Sequence, residues 1–221
     1  MPTPRLRFAC EKADWLLLCF DLAPGALPRQ PWLPAELSAA LDTLTVCARE
    51  LTPTPTIPDL PTLAEQMTGR CETWRALEHH GTHGPLTIDD LGPWERRNLP
   101  RLAATEAVWT DLVVGDTLLH FDPRYDNILI SPDGTARLVD WGRACTGPAW
   151  ADPVCLLLQS DLGDLDPEPI LADHPTGRNA HPEHLDAFLV ALAGYWTHTA
   201  ALPGLPHARR ATITWLRHRW T

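Results

Sequence analysis

Hydrophobic and polar positions along this chain change period several times, and each change marks an element. Residues 5–11 and 14–20 read as two short strands around Lys12-Ala13. The second, Trp15-Leu16-Leu17-Leu18-Cys19-Phe20, is a continuous apolar run of the length expected of a strand buried on both faces. Ala23-Pro24-Gly25 then breaks it. Residues 34–51 place Leu37, Leu41, Leu44, Ala48 and Leu51 on one helical face, with Pro34 suited to the first turn. Residues 52–61 carry four prolines, which predicts an extended connector. Thr62-x-x-Glu65 has the form of a capping box opening a helix to about His80, with Leu63, Met67, Trp74 and Leu77 apolar. A further helix is predicted within 93–112, with Asn98 as N-cap and Leu102, Trp109 and Leu112 inward.

The period then switches. Residues 128–131 and 136–139 are short apolar runs joined by Pro132-Asp133-Gly134-Thr135, the pattern of a β-hairpin. Helices are predicted again at 152–162, 182–202 and 206–220. The order is two strands, three helices, a hairpin and three helices, with no internal repeat. This is an α+β chain.

The hairpin carries the chemistry. His120-x-Asp122 precedes it, Asn127 stands at its entry, and Asp140-Trp141-Gly142 follows its exit. Thirteen residues out and back return Asp140 beside Asn127. Phosphoryl transfer asks little covalent chemistry of a protein: a group that orients the attacking hydroxyl, and ligands for the magnesium that neutralises the phosphates. Asp122 suits the first task. Asn127 and Asp140 offer hard oxygen ligands, and two suffice because Mg²⁺ keeps several waters. Without further context the same residues would describe an ordinary hairpin with acids at its ends.

The stretch from His120 to Gly142 resembles the catalytic loop and metal motif of the protein-kinase-like superfamily, His-x-Asp-x-x-x-x-Asn followed by Asp-x-Gly. With Trp141 after the acid and Gly147-Pro148 leading to Asp152, it is similar to the aminoglycoside phosphotransferase and choline kinase branch. The resemblance implies transfer of the ATP γ-phosphate to a small-molecule hydroxyl. In that reading Asp122 is the catalytic group, and Asn127 and Asp140 hold Mg²⁺. His120 supports the loop, although a simple buried histidine reads nearly as well. Asp152 braces the loop, which is compatible with a helix N-cap before Pro153. Backbone groups from Phe20 to Leu22 form a hinge that meets adenine.

It also implies a division of the chain, with 1–22 as a remnant of the small lobe and hinge and 23–221 as the helical large lobe. Family members carry a Gly-rich loop and a strand lysine over the phosphates. No Gly-x-Gly-x-x-Gly occurs here, and the only lysine, Lys12, lies at the turn between the first two strands. The chain therefore resembles an N-terminally truncated member, with impaired turnover expected. A shortened reading of a longer gene, a natural fragment and a cleft completed by another chain all explain this. Self-association through the open strand 14–20 is a further expectation. The non-enzyme alternative is a kinase-like remnant that binds a ligand or partner.

Composition narrows the partners. At 221 residues with net charge −10, neither nucleic acid nor an anionic membrane surface is an expected partner. From Asp152 to Asp186 there are eight acids and one arginine, so a cationic acceptor is compatible, as is a merely solvated loop. The six cysteines show no framework spacing, and most lie in apolar runs as small hydrophobes. With no charged leader and no span-length apolar run, a cytoplasmic location is expected.

Overall fold

The computed structural model describes residues 2–200 and 206–221. The chain begins as an antiparallel ribbon of β1 (Leu6–Lys12) and β2 (Trp15–Phe20), turning at Ala13, whose φ is +51°. Then follow α1 (Pro34–Glu50), α2 (Leu63–Gln66), α3 (Thr73–His80), the small pair β3 (Thr82–His83) and β4 (Leu86–Thr87), and α4 (Pro93–Leu112). The central segment holds β5 (Thr117–Leu119), β6 (Ile128–Ile130), β7 (Ala136–Leu138) and β8 (Cys145–Gly147). α5 (Ala151–Leu158), α6 (Pro167–Asp173), α7 (Pro182–Ala200) and α8 (Pro206–Arg219) complete the described chain. Residues 201 and 202 of the predicted seventh segment lie outside the described residues. None of the described helices is long and apolar enough to cross a membrane.

Every residue of α5 is buried, so this helix forms the centre of the lobe. That follows from its sequence, which is apolar almost all round and must be covered on all sides. α4 packs on α3 and α7, α7 also on α3 and α8, and α5 meets α1, α6 and α8, while α1 lies against β7 as well. Trp74, Leu102, Leu156 and Phe188 are among the fully buried side chains, each adding about 1.5–3 kcal/mol relative to exposure. Four of the six cysteines (Cys47, Cys71, Cys145 and Cys155) are buried and unbridged. Burial pushes the Cys47 and Cys145 thiols up to about 12, so they pack as protonated hydrophobes and not as nucleophiles.

The predicted hairpin forms as β6 and β7, with Ile128 opposite Leu138, Leu129 opposite Arg137 and Ile130 opposite Ala136. Its turn is closed by Asp133, whose Oδ1 accepts from the Thr135 amide and hydroxyl, and by Gly134 at φ +83°. The segment after β2 docks on this hairpin through Ala26, whose N–H and C=O both pair with Ile130. Only glycine fits just before it. Gly25 has φ +137°, and a Cβ there would stand 2.6 Å from the Ile130 carbonyl oxygen.

Several predicted boundaries move. The Thr62–Glu65 capping box is present, but it opens a helix of four residues, and α3 starts afresh at Thr73. α3 has no cap from its own N-cap residue. Instead Glu106 of α4 accepts from the amides of Trp74 (3.3 Å) and Arg75 (2.9 Å), taking two of the orphan donors at the helix start. Asn98 is not an N-cap: α4 begins at Pro93 after Gly92, and Asn98 donates back to the Trp94 carbonyl. α6 and the β5–β8 pair were not predicted; three-residue strands show no readable alternation.

Candidate active site

β5 delivers the chain to His120, and β8, paired with it, delivers the chain back to α5. The two paths meet at Asp152. This acid does not cap α5, whose N-cap is Trp150; its buried carboxylate crosses to the loop. Oδ2 accepts from the His120 amide and Oδ1 from the Phe121 amide, each at 2.8 Å. Burial pushes the Asp152 carboxyl up, opposed by His120 and by these two amide donors.

His120 carries the network onward. It is fully buried, its Nδ1 accepts from the Asp122 amide at 3.3 Å, and its Nε2 lies 2.9 Å from the Val139 carbonyl. That pattern places the ring proton on Nε2, which donates to Val139. The Val139 amide in turn donates to the Asn127 carbonyl at 3.0 Å. One imidazole thus ties the loop before the hairpin to the strand end after it. Phe121 and Asp140 both sit at left-handed φ, +60° and +61°. Such conformations cost about 1–3 kcal/mol each and persist where the surroundings over-determine them, as the hydrogen bonds around Phe121 do.

Asn127 is buried, and its Nδ2 donates to the Asp122 carbonyl (2.9 Å) and carboxylate (3.4 Å). Its Oδ1 is left as the remaining acceptor of the amide. Asp140 is exposed, with Oδ1 accepting weakly from the Gly142 amide at 3.4 Å. Asp140, Trp141 and Gly142 line an open cavity of about 950 Å³ together with Phe20 and Leu22. Phe20 and Leu22 are exposed on its rim, Leu22 to 95%. Asp122 lines a second cavity of about 380 Å³, on the side facing α5 and α7. Asn127 is buried beside Asp122 and lines neither. Among the described residues no group of three or more His, Cys, Asp or Glu could hold a metal ion, so an ion here would rest on the Asn127 and Asp140 oxygens and on its other ligands.

The second cavity contains residues that the motif reading did not assign. Arg124, Arg143, Gln159, Tyr195 and Trp196 line it beside Asp122. The two arginines lie within or next to the motif, so their proximity was legible as charge near Asp122. The α5 and α7 residues had no sequence signal. The acid-rich stretch goes elsewhere: Asp161, Asp166 and Glu168 line a third cavity of about 850 Å³ against α8. Glu168 is engaged there by Arg219 and the Trp215 indole N–H, and Asp186 by Arg219 and Trp220. That stretch supplies no anionic wall at Asp122.

No curated protein matches the sequence. The fold is similar to a choline/ethanolamine kinase family protein from Mesorhizobium loti, at TM-score 0.59 and 11% identity, over 99% of this chain and 73% of that one. It is equally similar to an aminoglycoside phosphotransferase from Alicyclobacillus acidocaldarius, at TM-score 0.60 and 14% identity, over 100% of this chain and 75% of that one. Both likenesses describe the α+β, kinase-like fold. The sequence model of the phosphotransferase enzyme family (APH) matches residues 1–202, most of the length, and the chain belongs to that family.

Proposed function

We propose that this protein is a small-molecule kinase, transferring the γ-phosphate of ATP to a substrate hydroxyl with Asp122 as the catalytic residue. The observation that carries the reading is the bracing of one loop by Asp152 and His120, with Asp122 lining one cavity and Asp140 lining another. The larger cavity takes the nucleotide, with the backbone from Phe20 to Leu22 as the hinge that meets adenine. The smaller takes the acceptor. In this division residues 1–22 act as small-lobe remnant and hinge, and 23–221 as the large lobe.

Asp122 stands in the acceptor cavity with its carboxylate held by Asn127 and Arg124, oriented to receive a hydroxyl proton. General-base assistance of this kind is worth ~10²–10⁴-fold. The donor set fits Mg²⁺: a carboxylate at Asp140 and an amide oxygen at Asn127, linked by the backbone bond between Val139 and Asn127. When bound, the ion neutralises charge on the phosphates. His120 and Asp152 are positioning residues that keep Asp122 and Asp140 in register.

Turnover by this chain alone is expected to be low. No Gly-x-Gly-x-x-Gly occurs in its sequence, and its one lysine, Lys12, proves to be the last residue of β1, paired with Trp15 beside the turn and not in the middle of a strand; positioning is most of catalysis in phosphoryl transfer. The same feature favours the second reading, a ligand-binding remnant without turnover. The test is transfer of labelled γ-phosphate from ATP to a panel of small hydroxyl compounds. Asp122→Ala should abolish whatever transfer is seen, and supplying a small lobe should raise it by orders of magnitude. Transfer that survives Asp122→Ala would remove the catalytic assignment. Nucleotide binding with no transfer under either condition would favour the second reading.

A further inference from the structure

We propose that His83 and His198 form a pH-sensitive latch, which holds the β3–β4 turn against the end of α7 when both rings are neutral and releases it when one is protonated. The latch bears on the cavity beside Asp122, because α7 carries Tyr195 and Trp196 into that wall, three and two residues before His198. It is a matter of packing and stands apart from the kinase reading.

The two imidazoles meet with ring centroids 4.4 Å apart and planes tilted by 51°. His83 comes from β3 and His198 from the last turn of α7. The turn backbone presses on the same ring: Gly84 has φ +59°, and a Cβ there would stand 3.1 Å from His198 Cε1. Both side chains are half-buried, yet His198 Nδ1 is shut off from solvent with no hydrogen-bond partner among the described residues. As the bare nitrogen of a neutral ring it forgoes one acceptor bond. As the N–H of an imidazolium it would bury a charged donor with nothing to accept it.

The surrounding charges do little to offset this. Burial holds the His83 imidazole below its ordinary 6.5, the neighbouring His198 adds to that, and Glu72, just ahead of α3, pulls the other way. At the far end of α3, His79 meets His80 at 6.3 Å between centroids and is turned to Glu78 at 3.4 Å. β4 brings Leu86 and Thr87, and the Thr87 amide and hydroxyl hold the Asp90 carboxylate, each at 2.8 Å. Beside His198, Thr197 accepts from Arg209 of α8, whose guanidinium also pairs with Glu95 of α4 at 3.3 Å, so those two charges answer each other. The folded protein thus resists protonating His83 more than the unfolded chain does. The latch is intact above about pH 6.5 and is lost as pH falls through the lowered folded value. Glu106, raised to about 7, moves global stability in the opposite direction, so the readout has to be local.

Amide hydrogen exchange on the full chain, from about pH 7.5 to about pH 5 and with the intrinsic pH dependence divided out, tests this without substrate. Protection from Thr82 to Thr87 and from Gly194 to Thr199 should fall by about tenfold relative to the amides of α5, the change that a shift of one unit in a linked pKa produces. His83→Phe keeps a ring that cannot take a proton, and it should reduce that fall to less than about twofold. His198→Phe should do the same. Circular dichroism and thermal unfolding establish that the variants fold. Where a variant does not fold, the wild-type ring signals decide: in NMR, His83 should titrate below 6.5, and the amide shifts from Gly194 to Thr199 should move with the same midpoint. A fall in protection unchanged in both variants overturns the proposal, as does a His83 midpoint at or above 6.5. So does a loss of protection in α5 as large as that at the end of α7, since that is global unfolding and not release of a latch.

Discussion

The β1–β2 ribbon and the α5 helix are built from similar residues and meet opposite fates. Trp15-Leu16-Leu17-Leu18 and Val154-Cys155-Leu156-Leu157-Leu158 are both nearly unbroken apolar runs. In α5 each of these side chains is at most 2% exposed. In the ribbon Trp15 is 72% exposed and Leu17 51%, and neither face is covered. Composition does not bury a segment; neighbours do. α5 has α1, α6 and α8 against it, whereas among the described residues β2 pairs with β1 alone, and a two-stranded ribbon is marginal by itself in water.

The comparison can be broken at its strong end first. Leu156→Ala removes fully buried methyl groups and leaves a cavity, so stability should fall by about 2–5 kcal/mol in chemical denaturation. A loss below about 1 kcal/mol would mean that α5 is not the centre of a close-packed core.

Glu106 sharpens the same end through pH. Burial pushes its carboxyl up to about 7 from 4.5, against the hydrogen bonds from Arg75 and Trp74. The folded form therefore holds a proton that the unfolded chain has released. This contribution is fully present below about 4.5 and is lost as pH rises through about 7, amounting to about 3 kcal/mol. Glu106→Gln should flatten the stability profile across that window. An unchanged slope in denaturation series at stepped pH would show that Glu106 is already ionised in the folded protein.

The ribbon end predicts effects that depend on partners. Exposed apolar strands pair edge to edge, so the chain should associate as concentration rises, and Leu16→Lys with Leu18→Lys should reduce that in sedimentation. A wild-type chain that stays monomeric at high concentration would contradict it. The smallest effect closes the series. Leu17→Ala should change the stability of the dilute monomer by no more than about 0.5 kcal/mol, although leucine is the residue lost in α5 as well.

Much of this was legible in the sequence where the signal is local. The hairpin from Ile128 to Leu138 follows from two apolar runs and a Pro-Asp-Gly-Thr turn whose hydrogen bonds close between Ser131 and Thr135. The Thr62–Glu65 box is equally self-contained. The length of the helix it opens was not, because α3 owes its start to Glu106, which is 32 residues from Trp74. Asp152 shows the limit most clearly. Locally it reads as a cap, and in the fold its carboxylate leaves its own helix for the amides of His120 and Phe121.

The sequence by itself determined the α+β character of the chain, the hairpin from Ile128 to Leu138 and the resemblance to the kinase-like family. Those depend on periodicity and on spacings shorter than a hairpin. Only the tertiary structure decided which side of α5 each charge occupies. It sent Asp161, Asp166 and Glu168 to one cavity and Arg143 to another. A run of acids specifies charge but not direction, since the partners that fix direction, such as Arg219 for Glu168, lie 51 residues away. It also left β2 uncovered, because burial is a property of what packs against a strand and not of the strand.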